Sequence, residues 1–524
     1  MNVLEPGSAS IGIWTDDGRD DSAADVGLNR DSQGVLDIGL EAPSKAISYV
    51  AIRWSAELPF GARILGDHWE RGYGDLEWRG AVPERPLPWY ALVHDPVSGE
   101  TTGIGVLTAP SAFASWRIDA SGVTLVLDVR CGGVGVKLGG RRLIAARVRQ
   151  MSSSPGDSAF DVARRFCSAL CSKPRLPGQP VYGGNDWYFR YGNISAESVH
   201  TDSALIRELS QSRTNAPSYV IDAGWFPSLS CNGGPYERGN AGFPDMPGLA
   251  GRMAGIGVRP GIWIRPLLTT ENVPERRRIS AQHPLAGSRG NTLDPSTHEV
   301  LTQVSADIRR LRSWGYTVIK HDFSTYDITG KWGFAMGADV TFPGWQFADP
   351  TRTTAEIIRG LYEVIRAAAG DAVLIGCNTV GHLGAGLFEL QRTGDDTSGT
   401  SWERTRKMGV NTLAFRMPQH GAFFHCDADC VGLTSHIPWS ENRLWLDVLS
   451  HSGTPLFVSA DPNCIGSEQR AALVESFDRA ADGSSHAAPL DWMETTCPRK
   501  WSTAGSLKVY NWPTFPASSF ACPG

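Results

Sequence analysis

The sequence lacks long apolar runs and any excess of basic residues. In 524 residues, no apolar stretch approaches the roughly 18 residues that a membrane-spanning helix needs. Lysine and arginine total 49 and aspartate and glutamate total 55, so we expect no broad basic surface for a nucleic-acid backbone. With 41% hydrophobic and 20% charged residues, the chain also differs from a disordered protein. These features predict a globular protein that binds neither membranes nor nucleic acid.

Signals for secretion, cofactors and metals are scarce as well. The N-terminus has no basic segment followed by an apolar one, which predicts a cytoplasmic protein. We find no G-x-S-x-G, no G-x-x-x-x-G-K-[ST] and no H-E-x-x-H, so nothing indicates a nucleophile elbow, a P-loop or this type of zinc site. The cysteines, 10 in all, are scattered and lack zinc-finger spacing. We therefore expect no cofactor and no metal.

The first third of the chain has the pattern of antiparallel strands. From residue 1 to about residue 170, short alternating segments are separated by glycine, proline, aspartate and asparagine, which is typical of a β-sandwich. A helical segment from Asp157 to Leu170 and a proline-rich linker follow. We predict an N-terminal antiparallel β-sandwich domain over residues 1–175.

After Pro180, apolar strands alternate with amphipathic helices. Residues 298–315 and 352–370 have apolar positions at i, i+3 and i+4, the spacing that buries one helix face. This alternation predicts an α/β fold, a TIM-type (β/α)8 barrel, over residues 176–485 and a short C-terminal β segment over residues 486–524. The predicted strands are VYGGNDW, SYVIDAGW, RPGIWI, TVIKHDF, AVLIGCN, LFELQRTGDD, AFFHCDAD and TPLFVSADP.

Polar and aromatic residues are concentrated at the ends of these predicted strands. In TIM barrels the active site is built at the carboxyl ends of the strands. One strand-end acid is often only a helix cap, whereas a ring of acids with tryptophan, of which the chain has 18, suits a neutral sugar. We therefore predict an oligosaccharide or glycoside as the ligand. The candidate substrate-binding residues are Asp186, Trp187, Asp222, Trp225, Trp263, Arg265, Lys320, Asn378, Arg392, Asp396, Asp427 and Asp429.

Two long loops are predicted to form the rim of this site. Residues 231–248 and 326–347 are rich in glycine and aromatic residues, and each comes after a predicted strand. Long loops of this composition are more often binding loops than disordered segments. We expect them to contact the part of the substrate beyond the cleaved bond.

Two carboxylates in the ring have the surroundings that glycosidic bond cleavage requires. One must attack the anomeric carbon while the other protonates the leaving oxygen. Lys320 precedes Asp322 by two residues and shares its face of the strand, which favours an ionised Asp322, although a structural ion pair is the alternative. Asp395 adjoins Asp396, and crowding of like charges raises the pKa of one of them, as a general acid requires. The residues alone leave the choice between Asp395 and Asp396 open.

Several strand-end segments together resemble a known family. They are VIDAGWF at 220–226, VIKHDF at 318–323, RTGDD at 392–396, DADC at 427–430 and PLFVSADP at 455–462. In this order they resemble the melibiase-type α-galactosidases of glycoside hydrolase clan D, which are retaining enzymes with a TIM barrel. The resemblance implies that Asp322 is the nucleophile and Lys320 a sugar contact. It also implies that Asp395 is the acid/base residue and that Arg392 binds a sugar hydroxyl.

The same segments depart from the family in the residues that recognise the sugar. Ala223 replaces the second of two family acids that bind the galactose 4- and 6-hydroxyls, Asn378 stands where many relatives have an acid or a glycine-rich stretch, and Arg265 has no counterpart. The resemblance predicts an α-galactosidase-like retaining glycosidase. It leaves open another glycone, such as an α-N-acetylgalactosaminide or a β-L-arabinopyranoside, and transglycosylation. A carbohydrate-binding barrel without catalysis, a barrel isomerase or lyase, and assembly into a homo-oligomer also stay open.

Overall fold

The computed structural model describes residues 3–210, 215–228, 232–288 and 290–513. Residues 514–524, the end of the predicted C-terminal β segment, lie outside the described residues. Within these ranges every α-helix begins at or after Ala159, the part of the chain for which the sequence predicts helices. The α-helices are α1 (Ala159–Leu170), α2 (Trp187–Arg190), α3 (Ala196–Leu209), α4 (Met246–Gly255), α5 (His298–Ser313), α6 (Ser324–Thr329), α7 (Thr354–Ala369), α8 (Gly381–Gly384), α9 (Trp402–Thr405), α10 (Thr412–Arg416), α11 (Trp439–Ser452) and α12 (Ser467–Asp482).

Residues 10–152 form two six-stranded antiparallel sheets. Their strands are β1 (Ser10–Thr15), β2 (Gly18–Arg19), β3 (Asp25–Arg30), β4 (Leu36–Glu41), β5 (Tyr49–Ser55), β6 (Arg63–Gly66), β7 (Leu87–Pro88), β8 (Tyr90–His94), β9 (Thr101–Val106), β10 (Phe113–Asp119), β11 (Gly122–Asp128) and β12 (Arg142–Ser152). The strand orders are β2-β1-β5-β11-β10-β7 and β3-β4-β12-β9-β8-β6. Along β5, Val50, Ile52 and Trp54 are buried and alternate with more exposed residues. The predicted antiparallel strands are confirmed.

A parallel sheet of nine strands follows. Its strands are β13 (Tyr182–Asn185), β14 (Ser218–Ile221), β15 (Arg259–Ile264), β18 (Val318–His321), β19 (Val373–Gly376), β20 (Leu390–Arg392), β21 (His425–Asp427), β22 (Cys430–Leu433) and β23 (Leu456–Ala460), and a short hairpin of β16 (Leu268–Thr269) and β17 (Asn291–Thr292) follows β15. Each predicted strand of this region contains or overlaps one of these strands. The predicted alternation of strands and helices is therefore confirmed.

The strands of this sheet all run in the same direction, so their carboxyl ends lie at the same edge. The order is β21-β20-β19-β18-β15-β14-β13-β23-β22, and every pair is parallel. The two outermost strands, β21 and β22, are consecutive in the chain and are separated only by Ala428 and Asp429. Asp429 has a φ of 69°, a left-handed conformation that is uncommon for residues other than glycine. Ligands bind at the carboxyl ends of the strands in parallel α/β sheets. A binding site is therefore expected at this edge.

The helices between these strands form for the reasons that the sequence indicates. α7 begins at a capping box in which Thr353 accepts from the Glu356 N–H and the Glu356 side chain accepts from the Thr353 N–H. Its apolar residues lie on one face, as predicted, and Ile357, Leu361 and Ile365 are buried. In the described ranges, no helix is both long and apolar enough to cross a membrane.

The end of the described chain is a small antiparallel sheet. It consists of β24 (Ala487–Pro489), β25 (Lys500–Thr503) and β26 (Ser506–Val509). Lys508 Nζ lies 2.8 Å from Asp447 of α11, and the Tyr510 hydroxyl donates to the same carboxylate at 2.7 Å. These contacts attach the small sheet to the outer helices and not to the carboxyl edge of the parallel sheet.

Candidate active site

Asp322 follows β18 and is held at the carboxyl edge of the sheet by three N–H donors. The indole N–H of Trp263 donates to Oδ2 at 3.0 Å, and the backbone N–H groups of Phe323 and Asn378 donate to Oδ1 at 2.8 and 3.0 Å. Phe323 has a φ of 61°, a strained conformation for an aromatic residue, and in this conformation its N–H reaches the Asp322 carboxylate. The orientation of Asp322 is therefore fixed by its surroundings.

Asp322 is also held in its ionised form. Burial alone would raise its pKa, since only 8% of the residue is exposed, but the positive charges of Lys320 and Arg71 and the N–H donors keep the pKa at about 2. Lys320 Nζ makes its contact with Asp222, at 2.6 Å, and acts on Asp322 through space. A buried carboxylate that is both ionised and oriented is suited to attack an electrophilic carbon.

A second group of polar side chains lies beside Lys320 at the ends of β13 and β14. Asp222 accepts from Asn185 Nδ2 at 2.9 Å, and the Asp222 N–H donates to Asp186 Oδ1 at 3.0 Å. Burial and the charge of Asp222 raise the pKa of Asp186 well above its usual range. The other oxygen of Asp186 has no hydrogen-bond partner among the described residues. This oxygen is itself buried, so Asp186 keeps an unsatisfied polar atom next to Asp222.

A small cavity lies between this group and the loop after β20. Its volume is about 20 Å³, which holds one water molecule and not a sugar ring. The lining consists of Asn185, Val220, Lys320, Ile375, Arg392, Asp427, Asp429, Cys430 and Phe457.

The loop after β20 carries Asp396 beside Arg392. Arg392 Nη2 lies 3.2 Å from Asp396 and 2.7 Å from Asp429, so one guanidinium serves two carboxylates. Desolvation raises the pKa of Asp396, and the negative charges of Asp429 and Asp395 raise it further, while Arg392 opposes them. The side chain is still 40% exposed. Asp396 is thus a carboxyl that retains its proton to higher pH and faces the solvent.

The neighbouring Asp395 has the opposite environment. Arg71 Nη2 lies 3.0 Å from one of its oxygens and Arg404 Nη2 lies 2.8 Å from the other. Burial acts to raise the pKa of Asp395, but these two guanidinium groups lower it overall. Asp395 therefore holds its proton less readily than Asp396, although the resemblance implies Asp395 as the acid/base residue. The crowding of like charges does raise the pKa of one member of the pair, as predicted, but that member is Asp396.

Arg71 and Glu70 belong to a loop that is not among the predicted parts of the site. This insertion loop, residues 67–78, lies between β6 and β7 of the antiparallel sheets. Glu70 is only 3% exposed and accepts from the Asn378 side chain, the Tyr73 hydroxyl and the Gly333 N–H. The only local signal is the sequence DHWERGYGDLEW, which is dense in charged and aromatic residues for a loop between two strands.

The insertion loop is bound directly to the loop that carries Asp395. The Gly72 N–H donates to the Thr393 carbonyl at 2.8 Å, and the Asp395 N–H donates to the Gly72 carbonyl at 2.9 Å. At the start of the insertion loop, Asp67 forms a buried ion pair with Arg416 at 2.7 Å. The insertion loop and the loop after β20 therefore form one hydrogen-bonded unit.

Most of the tryptophans predicted to line the site are buried, which corrects the prediction. Trp225 has no exposed surface, and its indole N–H donates to the Trp263 carbonyl at 3.0 Å. Trp263 is 1% exposed and contacts Asp322, so it positions this carboxylate and offers no face to a ligand. Trp345 and Trp402, on loops beyond the strands, are also buried. Of the predicted tryptophan contacts, Trp187 alone is partly exposed.

Two further predicted contacts are engaged within the protein. Arg265 binds Asp327 with three hydrogen bonds, of 2.6, 3.0 and 3.2 Å, and its guanidinium lies 4.3 Å from the ring centre of Phe323. The Asn378 side chain donates to Glu70 and accepts from the Tyr326 N–H at 3.0 Å. Both side chains therefore support the backbone around Asp322 and are not free to bind a substrate.

Asp429 is likewise engaged. Its carboxylate accepts from the Tyr188 hydroxyl and from the N–H and hydroxyl of Thr397, at 2.8 and 2.9 Å, besides its ion pair with Arg392. We interpret it as the residue that orients Arg392. Of the predicted residues, Lys320, Arg392, Asp427 and Asp429 line the cavity, Asp396 is partly exposed, and Asp186 and Asp222 lie buried beside Lys320.

Replacing Arg71 by methionine is expected to move the acidic limb of the pH profile to higher pH. Arg71 lowers the pKa of Asp322, so its removal lets that pKa rise, and less of Asp322 is ionised at a given acidic pH. The pH dependence of kcat/KM for an aryl glycoside measures the shift. Arg404→Met is the matched control, because Arg404 pairs with Asp395 but has no described effect on the pKa of Asp322. Equal profiles for the two variants would contradict this role of Arg71.

The fold is shared with solved glycosidases of known class. An α-galactosidase from Thermus thermophilus, solved with p-nitrophenyl α-D-galactopyranoside, superposes with a TM-score of 0.61 at 17% identity over 97% of this chain and 99% of its own. A variant of the GH36 α-galactosidase AgaA from Geobacillus stearothermophilus, solved with 1-deoxygalactonojirimycin, gives 0.60 at 12% identity over 94% of this chain and 78% of its own. The fold is that of the GH36 α-galactosidases. The resemblance of the strand-end segments to clan D is thus confirmed at the level of fold.

A similar fold also occurs in a structure with a different sugar. A mutant of Kfla1895, solved with isomaltose, gives a TM-score of 0.53 at 12% identity over 91% of this chain and 76% of its own. No protein-family model matches the sequence, and no curated protein matches it. The likeness therefore lies in the arrangement of the chain, and the residues of this site have to be interpreted from their own geometry.

Proposed function

We propose that this protein is a retaining α-glycosidase that releases terminal α-linked galactose through a covalent glycosyl-enzyme intermediate. The observation that carries the proposal is the state of Asp322, a buried carboxylate with a pKa of about 2 that three N–H groups orient at the carboxyl edge of the sheet. In an uncharged apolar environment such a group would be protonated and unreactive. The GH36 fold supports the same reaction class, since the solved neighbours are α-galactosidases.

The reaction needs two steps. In the first, an Asp322 oxygen attacks the anomeric carbon as the glycosidic bond breaks, and a carboxylic acid gives its proton to the leaving oxygen. In the second, the same acid, now ionised, takes a proton from water, and the water oxygen displaces Asp322 from the anomeric carbon. The sugar is released with its original anomeric configuration, and both carboxyl groups return to their starting states.

We assign the acid/base role to Asp396 in place of Asp395. A general acid must hold a proton at the working pH, and the pKa of Asp396 is raised whereas that of Asp395 is lowered. Asp396 also keeps an exposed face through which it can reach a leaving group, whereas both oxygens of Asp395 are paired with arginines. In this assignment Asp395 contributes by its negative charge, which helps to raise the pKa of Asp396.

The glycone hydroxyls are assigned to polar groups on the other side of Asp322. Asp186, Asp222 and Lys320 lie together at the ends of β13, β14 and β18, and Asp186 has a carboxyl oxygen without a partner among the described residues. Trp187 is the partly exposed aromatic residue beside them. Arg392 and Asp427 line the small cavity beside them and add two further polar groups to this side of the site.

The parallel sheet suits this assignment best if it is a closed (β/α)8 barrel. We infer that His425–Leu433 is one barrel strand interrupted at Ala428 and Asp429, because β21 pairs with β20 and β22 pairs with β23. The proposal also divides the chain into an N-terminal sandwich over 1–175, a catalytic barrel over 176–485 and a short C-terminal segment. The chain would then contain a complete catalytic unit.

Galactose is expected to be preferred in a panel of nitrophenyl glycosides. The panel contains the α-galactoside, the α-glucoside, the α-N-acetylgalactosaminide and the β-L-arabinopyranoside, and initial rates give kcat/KM for each. The α-galactoside should exceed the others by at least about tenfold, the ratio that one well-placed polar contact provides. A higher value for any other glycoside would overturn the assignment of the glycone but not that of the reaction.

A second candidate is the same reaction on a different glycone. Ala223 removes one of the two family acids that resemblance assigns to the galactose 4- and 6-hydroxyls, and the remaining Asp222 is already bound to Lys320 and Asn185. The structure of the Kfla1895 mutant with isomaltose, a glucose disaccharide, has a similar fold. The panel distinguishes the two glycones, and chromatography of the products distinguishes hydrolysis from transfer to a second sugar.

A further inference from the structure

Two exposed aromatic rings lie on the loop that follows Asp322 and α6. Trp332 is 41% exposed and Phe334 is 66% exposed, although most large apolar side chains of this chain are buried. Exposed apolar groups held next to a polar site are more typical of ligand binding than of ordinary surface. Neither ring lines the cavity of the site or takes part in the chemistry described above.

The two rings are held in fixed positions. Gly333, which lies between them, donates its N–H to Glu70 at 3.0 Å and has a φ of 54°. A side chain at Gly333 would come within 2.8 Å of the Tyr73 ring, so the turn lies closely on the insertion loop. The Phe334 ring lies 5.6 Å from that of Tyr73. The rings therefore need little ordering when a ligand arrives.

The rings are connected to both halves of the proposed catalytic machinery. Trp332 packs on Phe323, the residue after Asp322, with ring centres 5.9 Å apart, and on Tyr326 at 4.8 Å. Through Gly333 and Glu70 the turn contacts the insertion loop, whose Arg71 pairs with Asp395. The polar groups assigned to the glycone are buried, whereas these rings are exposed. The part of a substrate beyond the cleaved bond extends toward solvent, where the rings lie.

We propose that Trp332 and Phe334 form a platform for the sugar on the leaving-group side of the cleaved bond. The proposal rests on the function proposed above and adds the substrate class: an oligosaccharide whose second sugar ring lies against an aromatic face. The apolar face of a pyranose ring packs on flat aromatic side chains, while its hydroxyls stay in water at the rim. A substrate without a second ring gains nothing from this platform.

Two substrates separate the platform from the catalytic groups. The disaccharide melibiose places a glucose ring on the leaving-group side, whereas α-galactosyl fluoride places only a fluoride ion there. For Trp332→Ala and for Phe334→Ala we expect the ratio of kcat/KM for melibiose to kcat/KM for the fluoride to fall about tenfold. Phe342→Ala is the matched control, since this ring is also 41% exposed but Lys331 Nζ covers its face at 4.5 Å. The ratio should stay unchanged in the control.

The outcomes are distinct from those that test the proposed function. Equal losses on both substrates in Trp332→Ala, or an unchanged ratio in both platform variants, would overturn the platform. If the unmodified protein hydrolyses neither substrate, the proposed glycone is wrong, and titration with stachyose and isomaltose, followed by tryptophan fluorescence, decides the platform. A saturable change that Phe334→Ala, which keeps the Trp332 fluorophore, removes and Phe342→Ala retains supports it, and the absence of a saturable change with both sugars overturns it.

Discussion

Replacing Asp322 by alanine is expected to lower kcat/KM for an aryl α-galactoside by about 10⁴-fold or more, the size of effect that follows removal of a nucleophile. The carboxylate is ionised and oriented by Trp263, Phe323 and Asn378, and Asp322 is the ionised carboxylate that these groups hold at the carboxyl edge. The variant should keep its fold, because the same donors can bind water in place of the carboxylate. Initial rates and a thermal unfolding curve measure the two properties separately.

Azide provides the decisive control for Asp322. In the alanine variant, a small anion can occupy the vacated space and attack the anomeric carbon of an activated substrate, which yields a β-galactosyl azide. Asp307→Ala is a matched variant, since Asp307 is a similarly buried acid but is paired with Arg310 on α5. It should keep its rate. An unchanged rate in Asp322→Ala, or equal losses in the two variants, would remove Asp322 from the proposed role.

Asp396→Asn is expected to show a strong dependence on the leaving group. For melibiose, whose leaving alcohol needs a proton, kcat/KM should fall by about 10³-fold, within the range that general acids contribute. For 2,4-dinitrophenyl α-galactoside, which needs no proton to leave, the first step should be little affected, and a burst of dinitrophenol followed by slow turnover is expected. Single-turnover and steady-state rates distinguish the two steps.

Asp395→Asn is the paired variant. It has the same change of charge one residue away, but its native carboxylate is bound by Arg71 and Arg404, and we expect similar losses for both leaving groups. The alkaline limb of kcat/KM should disappear in Asp396→Asn, because the raised pKa of this carboxyl governs that limb. If leaving-group dependence appears in Asp395→Asn instead, the roles of the two residues are reversed.

The elements of the parallel sheet can be predicted because their signals are local. β15 coincides with the predicted segment RPGIWI, and α5 and α7 carry their apolar residues at helical spacing. The position of Asp322 after β18 can be predicted for the same reason, since it depends only on one strand and where that strand ends. A local pattern of this kind predicts where a side chain lies along the sequence and at which edge of the sheet it lies.

The partners of the charged side chains cannot be predicted in this way. The sequence predicts that Lys320 acts on Asp322 from the same strand, and it does lower the pKa of that carboxylate, but its contact is Asp222, which follows another strand. Whether a strand-end charge faces a ligand or another protein charge depends on distances between segments far apart in sequence. Arg265 and Asp429 face protein charges, because they form ion pairs with Asp327 and Arg392.

The tryptophans illustrate the same limit for aromatic residues. Composition indicates only that many flat rings are present, and strand-end position does not distinguish a ring at the mouth from a ring beneath it. Trp225 and Trp263 belong to the buried layer that supports Asp322, whereas Trp332, which is not among the predicted site residues, is exposed. The insertion loop escapes prediction for a related reason, since nothing in its own sequence shows which distant loop it contacts.

The two hydrogen bonds that join Gly72 to Thr393 and Asp395 form a parallel β-bridge with Gly394, and this bridge restricts which residues the two loops can carry. A side chain at Gly72 would come within 2.9 Å of Thr412, and one at Gly394 within 2.0 Å of the Met408 carbonyl, so both positions are closed to larger residues. Both loops therefore need a residue without a side chain where they meet. A chimera that joins this parallel sheet to a foreign N-terminal half would contain Asp322 without Arg71, one of the two cations that lower its pKa.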